Sequence, residues 1–222
     1  SGADSVNLNA SALAVGTLYA DLNQTLDGML KLATTGTNSI SVATITIGES
    51  TAGYTPTVKG ALHLGSNNTI NANTIYVGRR KAQGIMDIVS GGTLDLAGLT
   101  GGKTNLYIGY CDTATTATAN LGTMNLLGGT FNASLAELVI GYHLYPWNDT
   151  VSGSGTGVLS FDGGTITTDT VNLGVGSSNA HSTYGFREGR GVGTLNMAGG
   201  SFQAGSVTLA TGSTRSVATI NL

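Results

Sequence analysis

The chain has 222 residues, 35 of them glycine, 9% of them charged and one of them cysteine, with a net charge of −3. Its wealth of Val, Ile, Leu and Thr excludes a disordered chain, which would be polar, charged and poor in β-branched residues. The lone Cys111 excludes an internal disulfide or a cysteine-based zinc cluster, Arg79-Arg80-Lys81 is too small a basic patch for nucleic acid, and no apolar run reaches the roughly 18 residues of a membrane span.

Few lysines, one cysteine and many Thr, Asn, Ser and Gly suit an exported, extracellular or cell-surface protein. A start at Ser1 reads as a mature or excised product. In chain order, residues 1–27 fit no repeat well. "DSVNLNA" near the start mirrors "DTVNLGV" at 169–175, which gives Val6 and Leu8 a third-strand phase. Residues 10–27 read as an irregular first coil or partial cap.

From residue 28 to the end the chain repeats itself. An opening phrase stands at Gly28 ("GMLKLA"), Gly60 ("GALHLG"), Gly84 ("GIMDIV"), Gly122 ("GTMNLL"), Gly157 ("GVLSFD") and Gly193 ("GTLNMA"), at spacings of 32, 24, 38, 35 and 36 residues. A second phrase follows each opening ("GGTLDLA", "GGTFNAS"), and a third closes the unit ("TNLYIG", "AELVIG"). Every phrase alternates apolar and polar residues, the period of a half-buried strand. Three short strands per unit, separated by glycine-rich corners, predict a single all-β domain. It is a right-handed, three-sided parallel β-helix (β-solenoid) of about seven coils: six repeats and a terminal strand, with like residues stacked about 4.8 Å apart.

Inward pairs are expected at positions such as Leu62/Leu64 in the first strand, Ile70/Ala72, Leu94/Leu96 and Phe131/Ala133 in the second, and Leu138/Ile140 in the third. The doublets at 91–92, 128–129, 163–164 and 199–200 fit one corner. "GSGTG" and "GRGVG" do not sit between a strand and a helix, so they are no dinucleotide loop.

This wording resembles the β-strand repeats of autotransporter-type passengers, right-handed β-helices of secreted surface proteins, with their recurrent "GTL-x-L-x-GGT". The resemblance spans roughly residues 28–222. It implies adhesion or cell-surface structure and carries over no catalytic residue.

The inserts all follow the third strand, at 48–59, 78–83, 109–121, 141–156 and 174–192, and so share one edge. They bring Tyr110, Tyr142, Tyr145, Trp147, Tyr184 and Arg187, a candidate edge for stacking on sugar rings or anchoring a protein. The competing reading is that these aromatics fold back over the solenoid. Aligned inserts predict a column Glu49, Arg79, Tyr110, Tyr142, with Arg79 beside the Tyr110 ring and the two tyrosines stacked. A second column, Ser50, Arg80, Cys111, His143, brings a thiol to an imidazole. A dyad needs a third group to act as nucleophile or metal site; His181 is the one candidate, on a long insert whose alignment the repeat does not fix, so no catalytic residue, metal or cofactor is assigned.

Each outward strand column (Lys31, His63, Asp87, Asn125 is one) holds at most one acid, whereas glycosidases need two carboxylates at a set separation. The expected function is therefore an exported, non-enzymatic structural or adhesive surface protein. The alternative is a carbohydrate-active β-helix, lyase or hydrolase, using Asp112, Asp149 or Glu188, or a glycan-binding module. The C-terminal "SVATINL" carries no edge-blunting charge or proline. Val217, Ile220 and Leu222 are expected to meet Val6 and Leu8 of a neighbour, building a filament end to end; the alternative is a fragment cut from a longer protein.

Overall fold

A computed structural model describes residues 5–18, 26–51, 58–112, 120–144, 154–181 and 185–222, with backbone alone at 179–181 and 185–187. The strands are β1 (Val6–Leu18), β2 (Leu26–Lys31), β3 (Thr37–Ser50), β4 (Val58–Leu64), β5 (Asn67–Arg80), β6 (Ala82–Ile88), β7 (Thr93–Ala97), β8 (Thr104–Cys111), β9 (Asn120–Leu126), β10 (Thr130–His143), β11 (Ser154–Phe161), β12 (Thr165–Gly176), β13 (Ser178–His181), β14 (Gly185–Glu188), β15 (Arg190–Met197), β16 (Ser201–Leu209) and β17 (Val217–Asn221). Long and short strands alternate along the chain and segregate in space. One parallel sheet runs β1-β3-β5-β7-β10-β12-β16 with β8 beside β5 and β10, and the other runs β2-β4-β6-β9-β11-β15-β17. The fold is a parallel β-solenoid.

Each long strand serves two sides of the coil. In β3 the buried residues switch from even (Ile40, Val42) to odd (Ile45, Ile47) positions. Pairing with β5 skips one residue at the switch, resuming at Thr44↔Thr74 after Val42↔Ala72. A change of inward phase across one unpaired residue is a corner. In the next rung the same corner is opened by an excursion at 98–103, with a 3-10 turn at Leu99–Gly101, which separates β7 from β8.

Inward side chains from all sides meet in one continuous core of Ile, Leu, Val, Met and Phe, including Leu62, Leu64, Met86, Met124, Phe131, Phe161 and Ile166. The polar corner beneath it is closed by asparagine. Asn38 Nδ2 donates to Asn68 Oδ1 at 3.0 Å, and Asn68 Nδ2 donates to Gly65 O at 2.7 Å and Thr93 O at 2.9 Å. These bonds satisfy the Asn68 amide on both sides and the Asn38 Nδ2 donor, and so hold the turn.

Two glycine columns fix how the long strand passes the short one. The closing glycines Gly16, Gly48, Gly78, Gly109, Gly141 and Gly174 all have positive φ. The opening glycines of the short strands lie against them. A Cβ on Gly84 would sit 2.0 Å from Gly78 N and 2.2 Å from Ile47 O, and one on Gly48 would sit 1.9 Å from Gln83 O. Backbone touches backbone there, so both columns need glycine for space, and the closing column needs it for conformation as well. The doublets do make turns, but this zipper explains the more regular glycines that open and close each phrase.

Several expectations change. Each face stacks seven strands, yet the solenoid makes about five turns and departs slightly from the seven right-handed coils expected. The first and last rungs have a neighbour on one side only, which leaves five rungs enclosed. Alternation decides which side chains point inward, and it does so equally for either hand.

The second-strand columns also shift. Ile70 pairs with Leu96, and Ala133 with both Leu96 and Ile166, so Leu94 and Phe131 lie one pleat earlier than expected. The slip is of two residues, which preserves every inward assignment. It admits Leu135, fully buried, to the core. Finally, β1 is a regular rung: Leu8 pairs with Ile40 and Val15 with Ile47. The chain thus enters in second-strand phase, and residues 10–18 are not irregular. Their apolar residues on both phases ("ASALAVG") obscured the alternation.

Candidate functional site

The expected inserts start later than the closing glycine. Glu49, Arg79, Tyr110 and Tyr142 continue the strand beyond it and pair rung to rung, as Glu49↔Arg79, Arg79↔Tyr110 and Tyr110↔Tyr142. Beside them runs the outward column Tyr76, Tyr107, Val139, Asn172. Parallel stacking therefore puts four tyrosines in one patch. Tyr76 and Tyr107 stack at 5.0 Å and 17°, Tyr107 meets Tyr110 at 4.7 Å, and Tyr110 stacks on Tyr142 at 4.8 Å and 22°. Such pairs contribute roughly 0.5–1.5 kcal/mol each beyond their buried area.

One end of this ladder is an ion cluster. Arg79 and Arg80 both reach Glu49, at 3.2 and 3.0 Å, and both reach Asp112, Arg80 Nε at 3.1 Å. Arg79 stands beside Tyr110 in the register as expected, and, tethered there, its guanidinium lies 4.1 Å over the ring of Tyr76. Burial pulls the Asp112 carboxyl upward, but the hydrogen bond and charge of Arg79, with the charge of Arg80, outweigh it and hold the carboxyl below its ordinary value. The cluster is a charge-balanced tie between three rungs.

At the other end is a cavity of about 200 Å³ lined by Tyr107, Tyr110, Glu137, Val139, Tyr142, Asn172 and Val175. Glu137 is oriented from both sides: it accepts from Tyr107 OH at 2.8 Å and from Asn172 Nδ2 at 2.9 Å. Burial, then the Glu137 hydrogen bond, raises the Tyr107 pKa. Burial, then the charge of Tyr142, pushes Tyr110 up to about 12. The ladder is neutral at any ordinary pH and presents hydroxyls as well as ring faces.

Of the second insert column, Ser50 pairs with Arg80 and Cys111 with His143, and the side chains of Cys111 and His143 are fully buried. Burial lowers the His143 pKa to about 4, so the imidazole is neutral. Among the described residues no group of three or more His, Cys, Asp or Glu is placed to hold a metal. The pair is core.

On the short-strand face a wider recess of about 480 Å³ includes Lys31, His63, Asp87 and Asn125, where His63 Nδ1 lies 2.7 Å from Asp87 Oδ1. Further along the same column runs an amide and hydroxyl ladder, Asn221 to Asn196 at 2.7 Å and Asn196 to Ser160 at 2.9 Å. Glu188 is bound to Thr214 Oγ1 at 2.8 Å.

Of the expected binding residues, Tyr110 and Tyr142 come together. Tyr145, Trp147 and Tyr184 lie outside the described residues, as do Asp149 and the side chain of Arg187, whose backbone pairs with Asn179 in the antiparallel β13–β14 ribbon. Sequence reading missed Glu137 and Asn172, which sit on strands and not on inserts. Their signal was the register, which sets Glu137, paired with Asn105 and Thr170, two residues along the strand from the column of Tyr107, Val139 and Asn172. At the far end, Val217, Ile220 and Leu222 are exposed, and Val6 and Leu8 pack partly buried against the core. Among the described residues no helix is long and apolar enough to cross a membrane. No protein-family model, curated protein or solved structure matches the chain.

Proposed function

We propose that this protein is an exported, non-enzymatic structural and adhesive rod of the cell surface, with its tyrosine ladder as the binding edge. The observation that carries the reading is the ladder itself. Four tyrosine rings in contact on three consecutive rungs, β5, β8 and β10, end beside a recess that none of the described residues covers. Rigid aromatic surface that loses little entropy on contact is what recognition sites use. Export is supported by the low lysine content and the single, buried cysteine.

End-to-end contact belongs to the same proposal. Val207, Leu209, Val217, Ile220 and Leu222 form an apolar last rung, which Val6 and Leu8 of a second copy would cover. That contact takes a looser register than the rungs within a chain. Gly174 admits the Val217 carbonyl 1.9 Å from where a Cβ would be, whereas Ala210 already carries a Cβ at the corresponding place on the last rung.

Electron micrographs of the native material, with retention on cells and on glycan-coated surfaces, test the reading. Rods or filaments that adhere without consuming their ligand are expected. Ile220→Lys with Leu222→Lys should abolish filaments and leave the fold intact. Release of oligosaccharides from a polysaccharide with turnover would overturn the proposal in favour of a carbohydrate-active enzyme.

A further inference from the structure

We infer that the recess beside Tyr142 is a subsite for a single neutral pyranose ring, an inference that rests on the adhesive reading above and gives it a ligand class. Tyr110 covers one face of Tyr142. On the other side the register partner is Val175, too short to cover a ring. A stacking platform is thus left open above the buried floor of Val139. The cavity, about 200 Å³, is smaller than the roughly 300 Å³ at which sites for drug-sized ligands begin, so it takes one ring and not an extended chain. The C–H face of a pyranose suits the negative face of a tyrosine ring.

The polar groups select further. Glu137 is held by Tyr107 and Asn172 with one hydrogen bond to each carboxylate oxygen, which leaves each oxygen a lone pair to accept from a sugar hydroxyl. Charge-assisted bonds of that kind are the stronger ones. Among the described residues no Lys or Arg lines the recess, and Arg79 and Arg80 are engaged by Glu49 and Asp112. A uronate or sulfated ring would therefore face Glu137 with no compensating cation. A phenylalanine side chain would bring no donor to the two free lone pairs of the same carboxylate.

Calorimetric titration with neutral gluco-, galacto- and manno-oligosaccharides, and with an oligogalacturonate as the acidic probe, decides it. At least one neutral series should bind at micromolar to millimolar concentration and the acidic one should not. Val175→Tyr continues the tyrosine column over Tyr142; it should weaken binding at least tenfold with the melting temperature unchanged. Glu137→Gln should weaken it by a comparable factor. No binding of any neutral series, equal binding of the uronate, or unchanged affinity in both variants would overturn the inference. If neutral sugars fail to bind while the native rod still adheres to cells, the subsite alone is wrong. Loss of adhesion in every assay would instead remove the reading it rests on.

Discussion

β10 and β16 are written in nearly the same words, "TFNASLAELVIG" and "SFQAGSVTLATG", and both pair in parallel with β12. Their inward residues nevertheless meet different fates. Leu138 and Ile140 are 0% exposed, while Val207 and Leu209, in the same columns, are 51% and 47% exposed. The difference is the second neighbour: β10 lies between β8 and β12, and β16 has β12 alone. In a solenoid a side chain that points inward becomes core only when a rung closes over it. The last rung also relaxes the glycine rule, with Ala210 and Ala218 following the closing and opening columns, where no described residue stacks beyond them.

The sharpest way to break this comparison is at the zipper. A Cβ on Gly122 would lie 2.0 Å from Val77 O and 2.2 Å from Gly109 N, all backbone. Gly122→Ala should cost more than about 4 kcal/mol and prevent cooperative folding, read by circular dichroism and thermal melting. A melting temperature near the parent's would show that the middle rungs tolerate what the last rung already carries at Ala218.

Next come the side chains. Ile140→Ala should lose about 4 kcal/mol, inside the usual range for a buried large-to-small change, and Leu209→Ala about 1 kcal/mol, by urea denaturation. These losses are for protein dilute enough to keep copies apart; at concentrations where copies join end to end, the Leu209→Ala loss should rise toward that of Ile140→Ala.

His143 sharpens the contrast by pH. Its folded pKa of about 4 is depressed below the ordinary value of about 6.5, so between these values the unfolded chain binds more protons. The stability that comes from keeping the imidazole neutral is complete above pH ~6.5, is lost as pH falls toward ~4, and amounts to about 3 kcal/mol. His143→Leu should remove that part of the acid slope in denaturation midpoints taken from pH 7 to 4. An unchanged slope would place the loss on other groups.

The smallest effect is at the end of the stack. Ala210 is held at φ 46°, a conformation that costs a side chain roughly 1–2 kcal/mol, partly offset by glycine's greater freedom when unfolded. Ala210→Gly should therefore raise stability by about 0.5 kcal/mol. It should also lengthen filaments if neighbouring copies stack across this position.

Much of the site was readable as columns. Tyr110 over Tyr142 and His143 beside Cys111 followed from aligning closing glycines, because every rung advances the chain by the same frame. Arg79 over Tyr76 was not, since Glu49 and Asp112 on neighbouring rungs decide where its guanidinium rests. Glu137 and Asn172 were hidden for a related reason: a polar residue on an outward strand face looks the same whether water or a tyrosine hydroxyl meets it.

By itself the sequence determined the period, the parallel solenoid and the inward face of nearly every strand, because alternation of apolar and polar residues is a local property that survives any even slip of register. Only the tertiary structure decided the slip itself, which moved Leu94 and Phe131 by one pleat and buried Leu135. It also decided the zipper at the closing and opening glycines, the bonds that orient Glu137, and the exposure of Val207 and Leu209. Each of these depends on which backbone lies one rung away, at about 4.8 Å, and alternation within one strand carries no information about its neighbour.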